Sequence, residues 1–334
     1  MANYKDLHGF EIKHRSSDPA NPIKGEIWYN TTTQTLKVAP LIEAFSAGGS
    51  LPQGIGRGHC SGTQTAALMH HGALGGGDQP NDAKTFHYDG SSWTAGGDVS
   101  NMMRAMGGSG TQTDAMGFCG ALNPRHPAFP PANNQLAESY NGTSWTAEAN
   151  YPAVRTGITG CGAGQTATLA FGGDDASSTK TNETYEYNGT SWSEEGDMNY
   201  SSYALGGAGT STAALKVGKV DGSPDANQAE EYDGSTWTNV NAQTLSRQNN
   251  FGTGGPQTAA YSAGGRVPSI SLVMESYDGT NWTTRASLAT TREVGGGAHT
   301  APSETALAVG GTSPYSTSTE EFSSAITVRS VDTS

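Results

Sequence analysis

The stretch YNGTSW at residues 140–145 returns as YDGSSW (88–93), YNGTSW (187–192), YDGSTW (232–237) and YDGTNW (277–282). Its tryptophans, Trp93, Trp145, Trp192, Trp237 and Trp282, stand 52, 47, 45 and 45 residues apart. A period of this size marks a chain built from copies of one supersecondary unit. Asp-Gly or Asn-Gly between extended flanks favours a two-residue type I′ turn, in which both central residues take positive φ. The expected register puts each Tyr opposite the Ser or Thr three residues on. Carried outward, it sets Trp93 opposite Phe86, Trp145 opposite Glu138, Trp192 opposite Tyr185, Trp237 opposite Glu230 and Trp282 opposite Glu275. Tyr and Trp then share one face of the hairpin, because strand side chains alternate. A lone hairpin cannot bury that aromatic face, whereas stacking on the next copy can, so the five tryptophans are expected between repeats.

Upstream of each hexamer lies a second repeated pattern. It reads TAALMHHG (65–72), TDAMGFCG (113–120), TATLAFGG (166–173), TAALKVG (212–218), TAAYSAGG (258–265) and TALAVGG (305–311). Gly-rich segments such as GGSGTQ (107–112) and GTGGPQ (252–257) come before it and suit an innermost strand, where crowded backbones leave room for Gly and Ala. Each unit therefore has four strands: Gly-rich, Thr-Ala-apolar, Tyr-bearing and Trp-bearing. Four short strands at this period match a propeller blade, and six Thr-Ala strands predict six blades. The sixth copy lacks the Trp hexamer. It reads TEEFSSAITV (319–328), with Phe322 in the Tyr place, while EAFSAGGSL (43–51) puts Phe45 where a Trp belongs. Ring closure by strand exchange between the termini is expected, since it removes the exposed edges of an open sheet.

The hydrophobic strand ending in Gly-Gly, then Tyr, then Trp, as in LAFGG…YNGTSW, resembles kelch-type β-propellers over roughly residues 43–334. Two features depart from the kelch pattern: the Tyr–Trp interval is shorter, and Gly-Gly is replaced at Gly120-Ala121 and Gly218-Lys219. The expected fold is thus all-β, a six-bladed kelch-like β-propeller over 41–334 with an N-terminal β-hairpin extension in 1–40.

Composition narrows the function classes. Among 334 residues, 31 acidic against 18 basic side chains leave a net charge of −13, which disfavours capture of nucleic acid or of an anionic membrane. No apolar run approaches the roughly 20 residues of a membrane helix. The first residues carry no apolar core of a signal peptide, so none is expected. Cys60, Cys119 and Cys161 are odd in number and lack a C-x-x-C pair, which reads as three buried free thiols. His70-His71 and His126 offer no metal-ligand spacing, so neither metal nor cofactor is expected.

Arginines open five repeats, at Arg57, Arg104, Arg155, Arg247 and Arg292, and Glu138, Glu230, Glu275 and Glu320 precede the Tyr or Phe by two residues. One reading is a ring of positive charge that holds an anionic ligand. The other is a structural Arg–Glu pair that recurs because the blade recurs. A binding site normally breaks the symmetry, and the second repeat does so with GALNPRHPAFPPANNQLAES (120–139). Its prolines fix a projecting loop, and Arg125, His126 and Phe129 are the expected ligand or receptor contacts. The segments at 75–87, 172–186 and 218–231 would share that face.

Residues 18–40, DPANPIKGEIWYNTTTQTLKVAP, stand outside the repeat and read as a hairpin of GEIWYN and TLKV, with Trp28 and Tyr29 on opposite faces. Two strands alone are marginal in water, so the hairpin should pack on something. The pattern G-x-I-W-Y-N-x-T…L-K-V resembles a short module of tailed-bacteriophage virion proteins, tail fibres especially. That resemblance implies docking to other virion proteins through Ile27, Trp28, Tyr29 and Leu36, assembly in the host cytoplasm, and several copies per particle. The function expected from it is a phage structural protein, whether tail fibre, tail-tip or capsid decoration. It would present a propeller to a host-surface glycan or protein, with avidity offsetting weak single contacts. An alternative is a propeller glycosidase or depolymerase, which needs paired carboxylates or an Arg cluster with a Tyr nucleophile; no unrepeated carboxylate pair stands out, and no catalytic residue is expected. A third reading is a purely architectural virion protein.

Overall fold

A computed structural model describes residues 12–74, 83–122, 134–203, 205–218, 227–248, 253–267, 269–293, 295–311 and 315–331. The chain divides into two compact units. One comprises the residues up to Ala44 together with those from Ser323, and the other runs from Phe45 to Phe322.

The repeats generate six four-stranded sheets. The first joins His59–Thr63, Ala66–His70, Thr85–Tyr88 and Trp93–Ala95 in that order, innermost strand first. The second joins Gly107–Gly110, Ala115–Phe118, Ala137–Tyr140 and Trp145–Ala147, and the third Thr159–Gly164, Ala167–Phe171, Thr184–Tyr187 and Trp192–Glu194. The fourth joins Gly206–Thr210, Ala213–Val217, Ala229–Tyr232 and Trp237–Val240, and the fifth Thr253–Gly254, Tyr261–Ala263, Met274–Tyr277 and Trp282–Thr284. The sixth takes Gly296–Gly297, Leu307–Val309 and Thr319–Ile326 from the end of the chain and Leu41–Ala47 from its beginning. There Gly48 N–H donates to Thr319 O (2.9 Å), and the Phe45 and Phe322 rings meet at 5.2 Å.

Glycine on the innermost strands follows from how closely these strands approach one another. A Cβ at Gly160 would lie 2.6 Å from the Phe118 ring and 3.0 Å from Gly108 O, closer than such contacts allow. Backbone hydrogen bonds then pass from sheet to sheet. Ala105 N–H donates to Arg57 O, Gly157 to Ala105 O, Gly173 to Ser202 O, Gly209 to Gly255 O and Gly255 to His299 O. Thr300 N–H donates to Gly62 O (3.0 Å) and Gly311 N–H to Ile55 O (2.8 Å), so the sixth sheet is bonded to the first. The unit is all-β and of the propeller type.

The hairpin turn differs from the expected one. Tyr88 lies directly opposite Trp93, as do Tyr140 and Trp145, Tyr187 and Trp192, Tyr232 and Trp237, and Tyr277 and Trp282. Phe86 accordingly faces Ala95, and Glu138 faces Ala147. The cause is the position of the acidic or amide residue. Asn141 stays ahead of the turn, where its Oδ1 accepts the N–H groups of Thr143 (3.0 Å) and Ser144 (2.9 Å). Gly142 alone takes positive φ (+90°), as a glycine first of the two central residues does in a II′-type turn. In the first sheet the Ser92 N–H, followed by Ser91, holds the Asp89 carboxyl down at about 2, and the Thr236 N–H leads the same effect at Asp233.

In the smaller unit, Ile27–Asn30 pairs with Thr35–Val38 as a hairpin, and Lys13–Arg15 adds in parallel to the first of these strands. Arg329–Ser330 adds to the second. The sequence reading assigned those C-terminal residues to the repeat unit, and they join the N-terminal sheet instead. Trp28 is fully buried, and its indole N–H donates to Asp18 (3.0 Å), which also accepts from Asn30 (2.8 Å).

Candidate recognition surface and the contacts that position it

The Pro-rich loop carrying Arg125, His126 and Phe129 lies outside the described residues, as do 75–82 and 219–226. The equivalent loop of the third sheet is described. Asp175 closes it by accepting from the N–H groups of Ser177 and Thr179 (both 2.8 Å), and Ser178 takes positive φ (60°). Residues 176–179 are exposed at its tip, and Lys180 sits 5.4 Å from the centre of the Tyr203 ring. A turn stapled by its own carboxylate presents side chains without needing a partner to order it.

The arginines do not form a ring of positive charge. Arg247 is fully buried and donates to Glu275 (2.6 Å) and to the carbonyls of Gly264 (3.0 Å) and Val273 (2.9 Å). Arg292 likewise donates to Glu320 (2.5 Å) and Gly310 O (2.9 Å). Arg155 pairs with Glu183. In the fourth sheet Lys216 takes the cationic role against Glu230 (2.9 Å), and in the second Glu138 faces His71 (3.5 Å). Each of these buried glutamates also accepts backbone N–H groups of the segment that leads in from the preceding sheet: Ser100 and Asn101 for Glu138, Asn199 for Glu230, Thr244 for Glu275, and Ala289 and Thr290 for Glu320. The Arg–Glu pattern is therefore a clamp repeated with the sheet. Arg57 is exposed and Arg104 half-buried.

The tryptophans lie between sheets. Trp93, Trp145 and Trp237 are 7%, 8% and 5% exposed, while Trp192 and Trp282 are half-buried. Each indole N–H reaches back to the preceding repeat: Trp93 to Thr319, Trp145 to Thr85 and Trp237 to Thr184 (all 2.9 Å), Trp192 to Ala149 O (3.0 Å) and Trp282 to Asn241 O (2.9 Å). The tyrosine hydroxyls do the same, Tyr187 donating to Glu148 (2.8 Å) and Tyr277 to Glu231 (2.9 Å). Tyr88 donates to Glu321, and burial first and that hydrogen bond second push the Tyr88 phenol up to about 12. A sugar-stacking platform would need these rings free, and they are not.

Sequence reasoning missed a second latch. Gln64 donates to Ala306 O and Phe322 O, Gln112 to Ala67 O and Tyr88 O, Gln165 to Tyr140 O, and Gln257 to Ala214 O and Tyr232 O. The signal was present: Gln immediately precedes the Thr of four Thr-Ala strands. One amide thereby ties two strands of the neighbouring sheet. Gln257→Ala should lower the unfolding free energy by about 1–3 kcal/mol, read from the urea midpoint, because it strands two acceptors.

On the small unit, Tyr29 pairs with Leu36 and Ile27 with Val38, so these four side chains share the face opposite Trp28. Ile27 is 50% exposed, whereas Tyr29 and Leu36 are half-buried.

No protein-family description matches the chain, and no curated protein matches it in sequence. Its fold is nevertheless shared. The solved structure of YjhT, a propeller-like fold, superposes with a TM-score of 0.64 at 12% sequence identity, covering 84% of this chain and 99% of that one. At that identity the likeness concerns the fold alone.

Proposed function

We propose that the chain is a structural protein of a bacteriophage virion (a tail fibre, tail-tip or capsid decoration component) that presents a closed six-bladed, kelch-like propeller to the host surface. Six four-stranded sheets and the bonds joining the sixth to the first support the blade count and the closure. The strand Leu41–Ala47, paired at the outer edge of the sixth sheet, supports strand exchange between the termini. Other virion proteins are the partners of the small unit, and a host glycan or protein is the partner of the loop face.

The observation that carries the docking role is where the exposed apolar surface lies. Among the described residues five large hydrophobic side chains are exposed, and four of them, Ile23 (69%), Ile27 (50%), Ile326 (38%) and Val331 (39%), belong to the small unit. Charge divides in the same way. The small unit holds six basic and six acidic residues, so the −13 of the chain resides in Phe45–Phe322. A neutral, apolar face suits burial against another protein, and an acidic repeat unit suits solubility.

Ile27→Asp combined with Val331→Asp tests this. Burying one such side chain is worth about 1.5–3 kcal/mol, so incorporation into particles should fall about tenfold or more. The melting temperature of the isolated chain should stay unchanged. Undiminished incorporation, counted by quantitative mass spectrometry of purified virions, would overturn the docking role.

A further inference from the structure

The repeated pattern is broken in the core of the first sheet. Where the innermost ladder of the second sheet sets Gly107 opposite Phe118, the fourth Gly206 opposite Val217 and the sixth Gly296 opposite Val309, the first sets His59 opposite His70. His71 follows His70, and His299 reaches the same spot from the sixth sheet. The ring centres of His59 and His299 are 4.2 Å apart, those of His59 and His70 5.3 Å, and those of His70 and His71 5.0 Å. His70 and His71 both pack on Trp145 of the second sheet, at 4.9 and 5.2 Å. Four imidazoles therefore fill the junction of the sixth, first and second sheets. His70 and His71 have no exposed surface, and His59 and His299 are 7% exposed.

The rings of His59, His70 and His299 have little around them to stabilise a second proton. His70 Nδ1 and His71 Nδ1 share one hydrogen bond (2.8 Å), while His59 Nε2, His70 Nε2 and His299 Nδ1 have no partner among the described residues. From the second sheet, Glu138 faces His71 and is already engaged by two backbone N–H groups. The other neighbours from that sheet are neutral: Trp145, Gly108 against the His59 ring and Gly117 against His71. Within the first sheet the neighbouring thiol of Cys60 is kept neutral by burial, which pushes it up to about 12. The sixth sheet contributes His299, another imidazole.

We propose that this histidine cluster is an acid-operated release for the junction between the sixth and first sheets. A proton added to one ring places a charge against the next ring, and only opening the junction to water relieves it. Burial holds His299 down at about 4 and His59 and His70 well below the usual imidazole range, with the neighbouring imidazoles adding to the effect at the latter two. In an opened chain these groups titrate near 6.5. The opened form therefore binds more protons between pH 6.5 and 4. Stability is full above pH 6.5 and is lost as the pH falls through that window. From His299 alone, the opening equilibrium should rise about twentyfold between pH 7 and pH 5.

Hydrogen exchange of the full chain at pH 7, 6 and 5, corrected for the intrinsic rate, tests this peptide by peptide. Segments 59–70 and 299–309 should lose protection about twentyfold or more on acidification, while 206–217 of the fourth sheet keeps its protection. In the His59→Gln, His299→Gln double variant most of that pH dependence should vanish. Should that variant fail to fold, the exchange pattern of the native chain decides alone. Equal protection at pH 7 and 5, loosening spread evenly over all sheets, or an unchanged pH dependence in a folded double variant would each overturn the proposal.

Discussion

Arg247→Ala should lower the unfolding free energy by about 3–5 kcal/mol, measured by urea denaturation followed through tryptophan emission. The guanidinium has no exposed surface, and removing it leaves Glu275 buried with one backbone N–H, from Thr244, as its remaining partner among the described residues. The carbonyls of Gly264 and Val273 lose a donor as well. The loss comes from stranding the partner more than from the attraction itself, since desolvating both ions offsets much of their Coulomb gain. Replacing both residues together, Arg247→Met with Glu275→Leu, should therefore cost much less than Arg247→Ala alone. A double variant as unstable as the single one would show that the carbonyl contacts, not the carboxylate, dominate.

Trp237→Ala should cost a similar amount, about 3–5 kcal/mol, because a large side chain leaves a cavity between the third and fourth sheets. The indole packs edge-on against Phe171 at 4.9 Å and lies 5.1 Å from Tyr232, and its N–H satisfies Thr184. Trp237→Phe separates the two contributions. It keeps much of the packing and loses one hydrogen bond worth about 1 kcal/mol. The same truncation at Trp282, which is half-buried and donates to a backbone carbonyl, should cost distinctly less. Equal losses at Trp237 and Trp282 would mean that burial between sheets does not set the contribution of these rings.

What the sequence disclosed was whatever is repeated. The order of the four strands, the place of Phe45 beside Phe322 and the position of the tryptophans could be read because each copy is a replicate of the same packing problem. The turn register was misjudged because Asp-Gly and Asn-Gly serve two turn classes, and the choice rests on where the side-chain oxygen finds its N–H partners. The Arg–Glu clamp was visible as a pattern, but whether it faced ligand or core depended on burial, which no spacing encodes. The histidine cluster was hidden for the opposite reason. His59 and His299 lie 240 residues apart in the chain, and only the return of the sixth sheet to the first brings them together. Arg329–Ser330 is likewise too short to announce itself as a strand.

Borrowing Leu41–Ala47 for the sixth sheet also sets an order of events during synthesis. The borrowed strand is made well before its hydrogen-bonding neighbour, Thr319–Ile326. Until the later strands of the sixth sheet are made, the early strand therefore lacks its ladder partner and Phe45 its ring partner, and the junction holding His59 and His299 cannot assemble. The copies in between pair strands close in sequence, whereas the sixth sheet needs one long-range pairing, the kind of contact that slows folding.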